Sequence, residues 1–230
     1  MTTQRTIVSC LLAIAMLALS AAPLFAGFYT INSVSASSDK YVRRDDSTID
    51  NSGMSGVGSL SDTHTTVESG APVNVAWLTE GSAAFNVEHP AFATNPLAWI
   101  EFDLGAVQQV DTIASWAWPE TDSNYENFSV KAVSIQVSKT GNPGTYEEVF
   151  DGNLSENPNL PLTPYSVSDL ILIDPLKTRF VVFGVADNYR GSPDVGLGEV
   201  RIGFFTVPEP ATVSLLGMGA MGLLRRRRAA

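Results

Sequence analysis

Trp99-Ile100-Glu101-Phe102-Asp103-Leu104-Gly105 alternates apolar side chains with carboxylates and stops on glycine. A period of two is the signature of a strand with one face in a core, so Ile100, Phe102 and Leu104 are expected inward and Glu101 and Asp103 outward. The same reading extends outward along the chain. Val110 to Trp118 follows at once, and Lys131 to Val137 alternates with Val133, Ile135 and Val137 inward. Tyr146 to Phe150, Val167 to Ile173, Arg179 to Ala186 and Leu197 to Phe205 add further strands. Turn formers separate them: Gly105, Pro119, Gly141-Asn142-Pro143-Gly144, Pro158 to Pro164 and Gly191-Ser192-Pro193. No helical period runs through this body, so it is expected to be an all-β antiparallel sandwich of seven or eight strands.

Charge narrows the partners. Between residues 27 and 207 the chain holds 9 basic and 23 acidic side chains, net −14. So acidic a body is a poor electrostatic partner for nucleic acid or an anionic bilayer surface. Cys10 is the single cysteine and lies in the N-terminal apolar run, which leaves the body without thiolate metal sites, disulfides or a cysteine nucleophile.

Both ends read as addresses. Arg5, the apolar run Ile7 to Leu19 and the small residues Ser20, Ala21 and Ala22 have the layout of a signal peptide, with cleavage expected after Ala26. The other end reads Val207-Pro208-Glu209-Pro210, then a Gly-rich apolar run from Thr212 to Leu224, then Arg225, Arg226, Arg227 and Arg228. A helix over that run would rise about 20 Å, short of the ~30 Å hydrocarbon core, and needs snorkelling arginines to span it. The arginines would stay on the cytoplasmic side of the inner membrane, leaving the body outside.

This ending resembles the PEP-CTERM sorting signal of exported bacterial proteins. The resemblance implies recognition at Pro208, Glu209 and Pro210 by a membrane-embedded exosortase and removal of the tail. Delivery to the cell surface or extracellular matrix of a Gram-negative-type bacterium would follow. The order of organisation is then a signal peptide (1–26), a leader with a first strand and loops (27–62), a sandwich (63–206) and the sorting signal (207–230).

The middle resembles the discoidin, or coagulation-factor type C, galactose-binding-like domain. The resemblance rests on Trp99 to Gly105, on Val133-Ser134-Ile135-Gln136-Val137-Ser138, on Arg179 to Phe183 and on Gly196-Leu197-Gly198-Glu199-Val200-Arg201-Ile202. It implies an eight-stranded jelly roll. It also implies that Glu199 helps to hold a structural cation, Ca2+ being the one suited to hard oxygen ligands. Loop oxygens between about His64 and Asn74 would complete the set, with Glu68 as a second carboxylate; the Asp-Gly usual in that loop is absent here.

Catalytic constellations are not apparent. His64 and His89 have no partner visible in sequence and read as structural or solvated, and adjacent acids such as Glu147-Glu148 point to opposite faces of a strand. A sugar site wants an aromatic ring beside amide, cationic or carboxylate groups. Two loops offer that: Trp118 through Tyr125 and Asn127, and Asn188-Tyr189-Arg190, whereas Trp77, Trp99 and Trp116 read as core. The expectation is a non-catalytic exported protein that contacts extracellular polysaccharide; the rivals are a ligand-free structural protein and a secreted glycan hydrolase. Intact mass of the exported protein should match a chain that begins at Gly27 and lacks Arg225 to Arg228. Finding the arginines still attached would refute processing.

Overall fold

A computed structural model describes residues 25–38, 45–50, 54–56, 59–64, 76–79, 88–118, 128–156, 166–191 and 193–206. The expected signal-peptide helix and C-terminal membrane segment lie outside these residues. The chain divides into Ala26–Phe204 and a unit formed by its ends, Met1–Phe25 with Phe205–Ala230. Among the described residues no helix is long and apolar enough to cross a membrane.

The body is antiparallel and all-β. Its strands are β1 (Phe25–Phe28), β2 (Ser33–Ala36), β3 (Trp77–Leu78), β4 (Ala98–Ala117), β5 (Ala132–Ser138), β6 (Glu147–Asn153), β7 (Asp169–Val185) and β8 (Gly196–Thr206), with one 3-10 turn at Asp45–Thr48. The hydrogen-bonded order is β1-β8-β4-β7-β5-β6, with β2 added on β4 and β3 on β8. Within the segment 27–62, Ser33 to Ala36 pair with Asp103 to Ile100, an opening strand that joins the sheet.

Gly105 and Pro175 do not end strands, as the turn-former reading of the sequence expects of Gly105. They bend them. Strand β4 pairs with β7 twice in different registers, Ala98–Asp103 with Val185–Phe180 and Gln108–Ser115 with Thr178–Asp169. Four residues of β4 (104–107) oppose Arg179 alone, a bulge in which Gly105 takes φ +75° at no steric cost. A second irregularity sets Asp111 against residues 173–175, and Pro175, which has no N–H to give a ladder, sits in it.

The bends let one sheet enclose its own core. The first half of β4 is flanked by β2 and β7, the second half by β8 and β7. Yet Ile100 and Phe102 of the first half share a single buried cluster with Ile113 of the second and with Leu197, Val200 and Ile202 of β8. Residues that never pair meet across the interior, so the two halves lie in facing layers. The alternation of residues 99–105 holds: Ile100 and Phe102 are fully buried, Leu104 nearly so.

Asp103 fixes the bulge. Its carboxylate accepts from Arg179 Nε at 2.7 Å and Nη2 at 2.8 Å, and from the Gly105 amide at 2.8 Å. The Arg179 hydrogen bonds chiefly, with the Gly105 amide, outweigh desolvation and hold the Asp103 carboxyl below its ordinary range. A carboxyl depressed in the folded state adds stability that is complete above the unfolded value of about 3.9 and is lost as pH falls through the folded one. Asp103→Asn should therefore unfold at lower urea than the wild type at pH 7, and the gap should close toward pH 2. A gap that persists unchanged in acid would show that the charge of Asp103 contributes nothing.

Candidate functional site

Of the two loops expected to carry sugar chemistry, the first lies outside the described residues beyond Trp118, and the stretch that follows it meets the second. Val130 bridges to Asn188 and Ser129 to Gly196, which brings residues 128–131 beside 187–190 at one end of β5. There the Arg190 guanidinium lies 5.1 Å from the Phe128 ring centre and Lys131 Nζ lies 5.8 Å from that of Tyr189. Lys131 also meets Asp187 at 3.4 Å. The Tyr189 hydroxyl donates to the Leu154 carbonyl at 2.6 Å, which fixes the ring while leaving the residue partly exposed. Arg190 is exposed.

Two of the expected contact residues are structural instead. Trp118 is 2% exposed, clustered with Ala76, Leu78 and Phe128. Its indole lies flat against β8: a Cβ on Gly196 would fall 2.5 Å from the ring, so only glycine lets the strand pass so close. That ring has no face to offer a sugar. Asn188 is 2% exposed and organises its own loop, accepting from the Arg190 amide at 3.0 Å and donating through Nδ2 to the Asp194 carbonyl. Tyr125 and Asn127 lie outside the described residues, as do Pro208, Glu209, Pro210 and Arg225 to Arg228.

Glu199 is 1% exposed and faces Arg201, with 3.8 Å between Oε1 and Nε. Arg201, 5% exposed, sends Nη1 to Asp62 Oδ2 and the Ser59 carbonyl, both at 2.7 Å, and Nη2 to the Gly56 carbonyl at 3.0 Å. Its guanidinium also lies 5.1 Å from the Trp116 ring centre. Burial alone would raise the Asp62 carboxyl, but the hydrogen bonds from Arg201 and the Ser59 amide outweigh it and hold the group below its usual value. The pair is buried, and Arg201 ties Gly56, Ser59 and Asp62 to β8. Around Glu199 no three His, Asp or Glu side chains among the described residues gather as metal ligands. One carboxylate facing a guanidinium fits an ion pair. Glu68, the other expected calcium ligand, lies outside the described residues.

Sequence reasoning missed a third group. The Tyr146 hydroxyl donates to Glu101 Oε2 at 2.5 Å, and His89 Nε2 stands 3.4 Å from the same oxygen. His89 Nδ1 accepts the Ala91 amide at 3.1 Å, so its other nitrogen carries the proton, and its ring packs 4.6 Å from that of Trp99. Trp99, expected in the core, therefore lies half-buried on the outer face beside Glu101. Burial first, then the bond to and charge of Glu101, push the Tyr146 phenol far above its ordinary value, so it remains a donor. The only sequence signal was that Trp99 and Glu101 share a face; their partners at residues 89 and 146 are distant. Cutting Arg201 to Ala leaves Glu199 buried without its guanidinium and unties residues 54–64. The expected loss is on the order of 3–5 kcal/mol in urea unfolding, with faster proteolysis at residues 54–64.

Comparison with known proteins adds the following. No curated protein matches the chain. Among solved structures the chain is similar to the family 32 carbohydrate-binding module of NanJ from Clostridium perfringens, in complex with galactose, at 17% identity over 77% of this chain and 98% of that one, TM-score 0.48. It is similar to CBM32-3 from a family 31 glycoside hydrolase of Clostridium perfringens at 16% identity, 78% and 94% coverage and TM-score 0.47. It is also similar to chitosan-binding module 1 from a chitosanase/glucanase of Paenibacillus sp. IK-5, at 16% identity, 76% and 95% coverage and TM-score 0.44. The family described as the PEP-CTERM protein-sorting motif matches residues 206–228, which include Pro208, Glu209, Pro210 and all four arginines. The chain ends in a PEP-CTERM protein-sorting motif, the ending of an exported protein made as a membrane-anchored precursor.

Proposed function

We propose that this is a non-catalytic protein of the cell surface or extracellular matrix of a Gram-negative-type bacterium, processed by an exosortase, which binds extracellular polysaccharide through loops at one end of its sandwich. The observation that carries the binding reading is the meeting of 128–131 with 187–190. It sets the exposed Arg190 over the buried Phe128 ring and the partly exposed Tyr189 beside the Lys131 ammonium, which itself meets Asp187. Aromatic surface gives a sugar's C–H face something to pack on, and the charged groups around it can bond hydroxyls without water.

The sorting motif supports the location, because a body delivered outside the cell is placed where extracellular polysaccharide can reach it. The acidity of the body supports the choice of ligand: net −14 disfavours nucleic acid, whereas neutral sugar hydroxyls are indifferent to it.

The full chain should be retained on at least one neutral polysaccharide in affinity electrophoresis. Arg190→Ala should weaken retention about fivefold or more, the size of a contact worth roughly 1 kcal/mol, with its melting temperature unchanged because Arg190 is exposed. Equal retention of wild type and variant on every polymer tried would leave a ligand-free structural role.

A further inference from the structure

The basic residues of the described body are Lys131, Lys139, Lys177, Arg179, Arg190 and Arg201. Lys131, Arg179 and Arg201 are in ion pairs, and Arg190 sits over Phe128. Lys139 and Lys177 have no carboxylate partner among the described residues, although acids outnumber bases 23 to 9 in the body. Both exposed lysines line the same groove of about 350 Å³, between the β5–β6 turn and the stretch Leu176–Thr178 that follows the Pro175 irregularity of β7. Two like charges at one groove repel each other, and among the described residues no ion pair neutralises either. An anionic ligand would.

The groove is preorganised. Its floor is apolar, Val137 and Leu176, and its polar walls are already committed. Ser138 Oγ accepts the amides of Thr140 and Gly141 at 3.2 and 3.0 Å and lies 2.6 Å from Thr145 Oγ1, which donates to the Asn142 carbonyl at 2.7 Å. The Thr178 hydroxyl is buried and donates to the Ser138 carbonyl at 2.8 Å. Tyr146, anchored on Glu101, ends the same turn. What remains to meet a ligand is the two ammonium groups and the exposed Glu147 carboxylate. Glu147 would repel a bare inorganic anion but would accept from a hydroxyl, so the fitting ligand carries a negative charge and hydroxyls together.

We propose that this groove is a subsite for an acidic sugar residue of an extracellular polysaccharide. Lys139 and Lys177 take its carboxylate or sulfate, and Glu147 accepts from a ring hydroxyl. The inference rests on the polysaccharide-binding reading and adds the substrate class. The groove lies at the end of β5 opposite the Tyr189–Arg190 loop: the Ala132 carbonyl accepts the Ala186 amide at one end, and Ser138 pairs with Phe180 at the other. Seven strand residues separate the two by about 20 Å, so one polymer chain can reach both. At physiological ionic strength the screening length is about 8 Å, short enough that the lysines act on a bound charge while distant carboxylates are damped.

The test is affinity electrophoresis of the full chain at 0.15 M salt (about physiological) with polygalacturonate and its methyl ester, and with dextran sulfate and dextran. The expected result is stronger retention on a charged polymer than on its uncharged counterpart. That preference should fall roughly fivefold or more in Lys139→Ala/Lys177→Ala, survive in Lys139→Arg/Lys177→Arg, and fade at ~1 M salt. Preference for polygalacturonate assigns a carboxylate and preference for dextran sulfate a sulfate. Glu147→Gln should lower the advantage of a hydroxylated acidic sugar over inorganic sulfate as a competitor. Equal retention of charged and uncharged polymers, or an alanine variant that behaves as the wild type, overturns the subsite. The loop reading then stands or falls separately, on whether Arg190→Ala weakens retention on neutral polymer.

Discussion

Arg179 and Asp103 meet where two long strands change register, and the architecture turns on that point. Strands β4 and β7 pair along nearly their whole length, yet a sheet that stayed in one register could not fold back to enclose Ile100 and Ile202 in one cluster. The extra residues 104–107 supply the bend, and a fork of two charge-assisted hydrogen bonds with the Gly105 amide holds its geometry. The same displacement carries β7 through Leu176–Thr178 past the β5–β6 turn, where the lysine-lined groove opens. The bend that closes the core also shapes the groove.

Charge is distributed with some economy. Acids outnumber bases 23 to 9 in the body, and among the described residues the bases are spent at particular places: Arg179 on the bulge, Arg201 on Asp62, Lys131 on the loop end. Arg201 shows why a buried cation is tolerable. Three backbone or carboxylate oxygens and an indole face surround it, so its desolvation is offset contact by contact. Lys139 and Lys177 follow neither pattern, which is what sets them apart.

Local alternation made the strands legible. Residues 99–105 and 131–137 each carry one apolar face, and both became strands with that face inward. Where both faces are buried the pattern loses information. From Ile113 to Trp118 every residue is buried, so sequence could not tell that Trp118 continues the strand's packing instead of opening a loop. The alternation Ala114, Trp116, Trp118 was the available clue. Gly105 reads as the end of a strand, whereas it stands at a bulge inside β4, because a bulge and a turn ask the same freedom of the backbone.

By itself the sequence determined the class of fold, the acidic character and the sorting address at 206–228, because each is a property of neighbouring residues: a period of two, a sum of charges, a tripartite order of motifs. Only the tertiary structure decided which polar groups meet. Glu101 with Tyr146, Glu199 with Arg201 and Arg201 with Asp62, and the two lysines at one groove all depend on strand register and on how the bent sheet closes. Burial of Trp118 and Asn188 has the same origin, since whether a loop residue faces solvent is set by what the rest of the chain lays against it.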